Sequence, residues 1–377
     1  MMIADPLSTG EMATFDAHPG GRTEQPVPWR PFKVRAAEIH AEIERLASMP
    51  QPADGYRAAG IVHPDSVGSV RSFAPGIDVV VEVLLPGEAT KPLRRNSSNV
   101  VIGIQGEGRV EVGGRTIHLS RWDVCNIPSM RPYSYRNDSN ELWVRLTYSN
   151  YPLLSKIGVS YAEPLAEMTA ATPTPTPARE GSAQYNRTNA PDFEVSEFGS
   201  RVRGYEFLTD IEVVENQAQH WPWAAVSQHL SDQLGDGKRA ILAYYNPATE
   251  RRNGATHSFF VTATQVPAGF PPMPEGTRGH RHISAAINYH FRGTGKSVID
   301  GETIEWGPGD LLLSAPGWRE HLHVPGPDAI GVFTVQDHPL HIGMESLIWQ
   351  ESMDGPILTL GSEAGVTGYV GPREVGK

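Results

Sequence analysis

From about Val67 to Tyr148 the chain runs in short stretches of alternating apolar and polar residues, broken by glycine. Val79-Val-Val-Glu-Val-Leu-Leu is followed by Pro86-Gly87. Val100-Val-Ile-Gly-Ile, Gly106 to Gly114, Trp122 to Pro128 and Leu142 to Tyr148 complete the set. Period-two alternation with glycine turns at this spacing predicts a small antiparallel barrel. One segment departs from it. Val34 to Ser48 places Ile39, Ile43 and Leu46 on one helical face, with Glu and Arg opposite and Pro50 at the end. That pattern predicts an amphipathic helix whose role is packing or subunit contact.

The second half repeats the first. Gly293-Thr-Gly-Lys-Ser-Val-Ile-Asp-Gly301 mirrors Gly106-Glu-Gly-Arg-Val-Glu-Val-Gly-Gly114, and Gly309-Asp310 to Pro316 mirrors Trp122-Asp123 to Pro128. Between the halves, Thr172 to Pro177 reads Thr-Pro-Thr-Pro-Thr-Pro, a stiff extended stretch that cannot form a core. The tryptophans of His220-Trp-Pro-Trp223 predict packing between domains. The expected division is an N-terminal arm and helix over 1–66, a first barrel over 67–162, a Thr/Pro-rich linker and inter-domain segment over 163–236, a second barrel over 237–345 and a tail over 346–377.

Composition narrows the partners. The 377 residues suffice for two full cores, and 38 Gly with 32 Pro favour turns and short strands. With 32 basic and 43 acidic residues the formal charge is −11, which argues against nucleic acid and anionic membrane. The single cysteine, Cys125, excludes an intramolecular disulfide and any site built on several thiolates. Residues 1–31 lack a basic and apolar leader pattern and no apolar run reaches membrane-spanning length, so the expected location is the cytoplasm.

The chemistry concentrates in Thr277-Arg-Gly-His280-Arg-His282, followed 39 residues later by His321-Leu-His323. His280 and His282 are two apart, so on a strand both point the same way. A third histidine from a later strand would complete a facial set of neutral nitrogen ligands with metal positions left open, as a reactive metal requires. His323 shares the parity of His321, and Asn288 and His290 continue the alternation from His282, so all three are candidates to line the same pocket. His323 reads as an acid/base or substrate contact, or else as a polar rim residue. His290 reads as a substrate contact or a cap on the barrel mouth. Asp337 either orients His321 or His323, or closes a turn before Pro339. Among the arginines, Arg319 has inward parity and is a candidate for binding a carboxylate, whereas Arg281 faces outward and reads as structural.

On these residues the chain resembles the cupin superfamily in its two-barrel, bicupin form. His280, His282 and Gly293 match the first cupin motif, with Ala286 in place of its glutamate. Gly309, Asp310, Pro316 and His321 match the second. A three-histidine bicupin is similar to the gentisate, 1-hydroxy-2-naphthoate and salicylate dioxygenase group. Tyr244-Tyr-Asn-Pro-Ala-Thr249, Thr277 to His282 and Phe333-Thr-Val-Gln-Asp337-His-Pro339 are similar to segments of that group. The resemblance implies an all-β fold of two double-stranded β-helix (jelly-roll) barrels with helical and extended arms. It implies one Fe(II) per chain in the C-terminal barrel, held by His280, His282 and His321, with O2 as co-substrate. It further implies ring cleavage of a small hydroxylated aromatic acid in aromatic catabolism, with His323 and Asp337 as catalytic residues and Asn288, His290 and Arg319 at the substrate. Arms of this kind imply a homodimer or homotetramer. Where the group carries iron in its N-terminal barrel, this chain has Leu93, Arg95 and Tyr133, so the first barrel is expected to be non-catalytic and to serve assembly. Asn288 stands where the group often places an arginine. A metal-dependent isomerase, lyase or non-ring-cleaving oxygenase, and a non-enzymatic small-molecule-binding cupin, are the competing readings of the same site.

Overall fold

The computed structural model describes residues 27–168, 192–197, 199–203, 217–234 and 238–359. The Thr172–Pro177 stretch, and with it the expected linker character, lies outside these residues. The two barrels expected from the repeat are present, each built around a six-stranded antiparallel sheet. In the first barrel the order is His220–Trp221, Val124–Ile127, Asn99–Gln105, Trp143–Ser149, Asp78–Leu84 and Arg57–Ile61. In the second it is Phe32–Val34, Leu311–Pro316, Ala285–Arg292, Ile330–Gln336, Phe260–Val266 and Ala240–Ala243. Strand for strand the two orders correspond, as duplication of one unit demands. Smaller sheets close each barrel; that of the second pairs Gly295–Ile299 with both Glu302–Trp306 and His321–Pro325.

The edge strands are exchanged. Phe32–Val34 precedes the first barrel in sequence yet pairs with Leu311–Leu313 of the second. His220–Trp221 follows the first barrel and pairs with Val124–Cys125 inside it. Each exchanged strand runs into a helix that packs on the other barrel: Ala36–Ser48 lies against Asp78–Leu84, and Trp223–Gln233 against Ala240–Ala243. The first helix buries Ile39, Ile43 and Leu46, the face its periodicity marks. These side chains join Val79, Val81, Val144 and Leu146 from one barrel and Ile287, Leu313, Phe333 and Val335 from the other in one continuous core. Trp223 meets Phe291 and Phe333 edge-on at 5.2 and 5.5 Å, which is the inter-barrel packing its sequence context predicts. Among the described residues no helix is long and apolar enough to cross a membrane.

Candidate metal centre in the C-terminal barrel

Three histidines converge at one end of the second barrel. His280 and His321 face each other across an isolated antiparallel bridge, exchanging backbone hydrogen bonds of 3.1 and 2.9 Å. His282 lies two residues on, in a short strand paired to Trp349. The bridge and the two-residue spacing bring the ring centroids within 4.4 Å (His280–His321), 4.8 Å (His282–His321) and 5.7 Å (His280–His282). One nitrogen from each lies within 4.8 Å of the others. The approach needs a residue without a side chain before His280: a Cβ on Gly279 would stand 2.2 Å from the His321 carbonyl oxygen. Outside the barrel Glu320 clamps the same arm, accepting from Arg278 Nε at 2.8 Å and from the Gly279 amide at 2.9 Å.

The donor set suits a divalent metal. His282 and His321 are buried, at 7% and 2% exposure, while His280 stands at the solvent edge. Burial first, and then the neighbouring histidines, push His282 and His321 down to about 3, so both rings are neutral at physiological pH. Their outer nitrogens are committed: His321 Nδ1–H donates to the Arg319 carbonyl at 3.0 Å, and His282 Nδ1–H to that of Ser284 at 2.8 Å. A carbonyl accepts only, so the proton sits on Nδ1 and each Nε2 lone pair is left for a ligand.

His323 enters the same space, its ring 5.8 Å from that of His321. Its Nδ1 lies 2.8 Å from Ser297 Oγ, and the Trp306 indole N–H donates to that oxygen at 3.1 Å. Indole only donates, so the Ser297 hydroxyl hydrogen stays available, and Ser297 Oγ either donates to His323 Nδ1 or accepts from it, according to the tautomer of His323. Burial and the neighbouring His321, His280 and Arg239 push His323 down to about 3. His290 stacks on Trp306 at 3.9 Å and 11°, is 2% exposed, and has no hydrogen-bond partner on either ring nitrogen. It lies inside the barrel rather than capping the mouth. Asn288 is buried in the same strand and donates to Ser314 Oγ at 2.9 Å.

Asp337 follows the turn-closing one of its two readings, and Arg319 takes partners other than a substrate pocket. Asp337 contacts neither His321 nor His323; its Oδ1 accepts from the Ala285 amide at 2.8 Å while the residue begins the helix His338–Gly343. It closes the turn before Pro339. Arg319 turns away from the barrel interior. Its guanidinium donates to the carbonyls of Trp29 and Pro28 at 2.8 and 2.9 Å and to Asp300 at 2.6 Å, pinning the N-terminal arm. Parity fails there because Gly317 has φ of 123° just before it, which resets the direction of the chain. Arg281 is structural, as its outward parity implies, donating to Gln350 at 2.8 Å and lying over Trp318.

Arg239 was not among the sequence candidates. It immediately precedes the edge strand Ala240–Ala243 and is exposed, yet its charge acts on both His280 and His323. Nothing in its local pattern marks it; only the topology carries that edge strand to the histidine end of the barrel.

No family model matches the chain. The 5-aminosalicylate 1,2-dioxygenase of a Comamonas species is 22% identical over 329 residues, spanning 84% of this chain and 80% of that protein. The 5-nitrosalicylic acid 1,2-dioxygenase of a Bradyrhizobium species is 26% identical over 150 residues, 37% of this chain and 70% of that protein. Among solved structures, the salicylate 1,2-dioxygenase of Pseudaminobacter salicylatoxidans superposes with a TM-score of 0.65 at 16% identity, covering 87% of this chain and 91% of that one.

Proposed function

Because this chain belongs to the bicupin family of gentisate-type, ring-cleaving dioxygenases, we propose that it opens a hydroxylated aromatic carboxylate of the salicylate type by inserting O2. The observation that carries this reading is the convergence of three imidazoles, with His323 and its Ser297 hydrogen bond beside them. In this proposal His280, His282 and His321 hold one Fe(II) in the C-terminal barrel, 237–345. The N-terminal barrel, 67–162, has Leu93, Arg95 and Tyr133 at the matching places and takes no part in the chemistry. Bound iron would supply a +2 charge and open positions for the ring oxygens and O2.

The remaining steps belong to the protein. Arg239, exposed and near enough for its charge to act on His280 and His323, attracts the substrate carboxylate through its guanidinium fork. In this reading Ser297 donates to His323 Nδ1, and His323 presents Nε2–H to the reacting oxygens and gives that proton as an acid. Asn288 and His290 lie deeper in the barrel, where the apolar walls and the Trp306 stack exclude water from the ring. Low exposure of this layer strengthens every charge interaction within it. Assembly as a homodimer or homotetramer belongs to the same proposal and is measured by light scattering.

The test is oxygen uptake by the Fe(II)-loaded chain over salicylate, gentisate, 1-hydroxy-2-naphthoate and their amino- and nitro-substituted relatives. One substrate that consumes O2 and yields a ring-opened product supports the reading. Metal binding without uptake on any of them would transfer it to an isomerase or lyase on the same site.

A further inference from the structure

The barrel that lacks metal ligands holds the more unusual interior. Asp78–Leu84 pairs with Trp143–Ser149 so that Glu82 stands opposite Arg145 and Leu84 opposite Trp143. Val79, Val81, Val144 and Leu146 point to the core shared between the barrels, whereas Leu84 and Trp143 belong to the first barrel's own interior. By parity Glu82, Arg145 and Thr147 point into that interior as well. From the other wall comes Leu93, paired with Tyr133, and Arg95 two residues on shares its side.

Arg145 is 1% exposed. Its guanidinium lies 4.0 Å from the centre of the Tyr135 ring and 4.1 Å from that of Trp143, so two rings cover it. Only Nη2 has a polar partner, Glu82 at a long 3.4 Å, and the nearer claim on Glu82 is the Thr147 hydroxyl at 2.6 Å. Arg145 Nε and Nη1 are buried without any acceptor, and so is Arg95 Nε. Burying a charged N–H with no acceptor is costly, and native proteins rarely leave one so. Glu82 supplies one carboxylate to this interior, and these three nitrogens still lack an acceptor, which calls for a further anion rather than a cation. Asp78 does not supply it: burial pushes its carboxyl up to about 7 against the pull of Arg95, so it carries little charge in mildly acidic conditions.

We infer that the N-terminal barrel carries its own metal-independent site for a small carboxylate anion, bound between the guanidinium groups of Arg95 and Arg145. A carboxylate fits because it is planar, accepts only, and offers lone pairs to several N–H groups at once. Leu93 and Tyr133, where the other barrel has histidines, make the site indifferent to metal. The two barrels of one duplicated unit then hold two chemistries, a cation bound by imidazoles and an anion bound by guanidinium groups.

The test uses the full-length His282→Ala chain, which separates this site from the proposed iron site. Isothermal titration with sodium acetate is expected to give one saturable site per chain, unaffected by chelator. Arg95→Met, at the less buried of the two arginines, is expected to weaken binding at least ~tenfold, and Arg95→Lys less. Uptake that is unchanged in a folded Arg95→Met chain overturns the inference. Absence of saturable uptake in the His282→Ala parent overturns it outright, whether or not the second variant folds.

Discussion

Asp310 accepts the backbone N–H of Ala36 at 2.7 Å, joining the Gly-Asp turn of the second barrel to the first residue of a helix 274 positions earlier. The first barrel repeats the device: Asp123 accepts from Trp223, the first residue of the other exchanged helix, also at 2.7 Å. In both turns the second carboxylate oxygen holds a local amide, Gly307 or Ser120, at 3.0 Å. Each aspartate thus closes its own turn and caps the helix of the arm that crosses to it, where a negative charge is favoured by the helix dipole. Asp310→Ala is expected to lower the unfolding free energy by about 1–2 kcal/mol, read by urea denaturation, with Asp123→Ala at least as costly because His220 also depends on it.

The proposed acid role of His323 needs Ser297 to donate to Nδ1, which leaves the ring proton on Nε2. In Ser297→Ala the hydroxyl is lost, the two tautomers of His323 become mixed, and turnover is expected to fall about tenfold with iron content unchanged. Nitrogen NMR of the ring reports the tautomer directly. A loss of turnover with the His323 signals unmoved would mean that Ser297 acts only by packing.

Arg239→Met is expected to raise KM for an aromatic carboxylate about tenfold or more while changing kcat little, since the guanidinium binds ground state and transition state alike. An analogue with a carboxamide in place of the carboxylate should bind equally to both proteins. Equal KM values for the acid would remove Arg239 from the site.

Asp78 gives the fold a defined pH dependence. Its carboxyl is raised from an ordinary 3.8 to about 7, mainly by burial. Between those values the folded chain keeps a proton that the unfolded chain releases, so this contribution to stability is full at the acid end and declines as pH rises through 7. Asp78→Asn removes the decline. The variant is expected to gain about 2 kcal/mol on the parent between mildly acidic and neutral pH, allowing for partial solvent access. A constant difference across that range would show that Asp78 does not titrate there.

The elements legible in the sequence were those fixed by local spacing. The face of Ile39, Ile43 and Leu46, the repeat of the Gly-Asp turn and the shared parity of His280 and His282 depend only on neighbours in the chain, and all three appear in the structure. The readings that the spacing left open share the opposite property. Parity gives Arg319 a direction but no partner, and sequence leaves Asp337 between two roles; their partners are Trp29, Pro28 and Asp300 for the one and Ala285 for the other. The exchange of Phe32–Val34 and His220–Trp221 between barrels was equally hidden, because two or three residues of pairing leave no periodic signature. Arg239 gains its place from that same tertiary arrangement. The Gly309-Asp310 match was visible as a turn, whereas its hold on Ala36 required the fold.

One metal site in one barrel is tested most directly by the iron content of the anaerobically Fe(II)-loaded chain beside that of His282→Ala. One iron per chain in the parent, with loss of both iron and oxygen uptake in the variant, is the predicted result. Iron held equally by the two proteins would contradict it and place the metal elsewhere in the molecule.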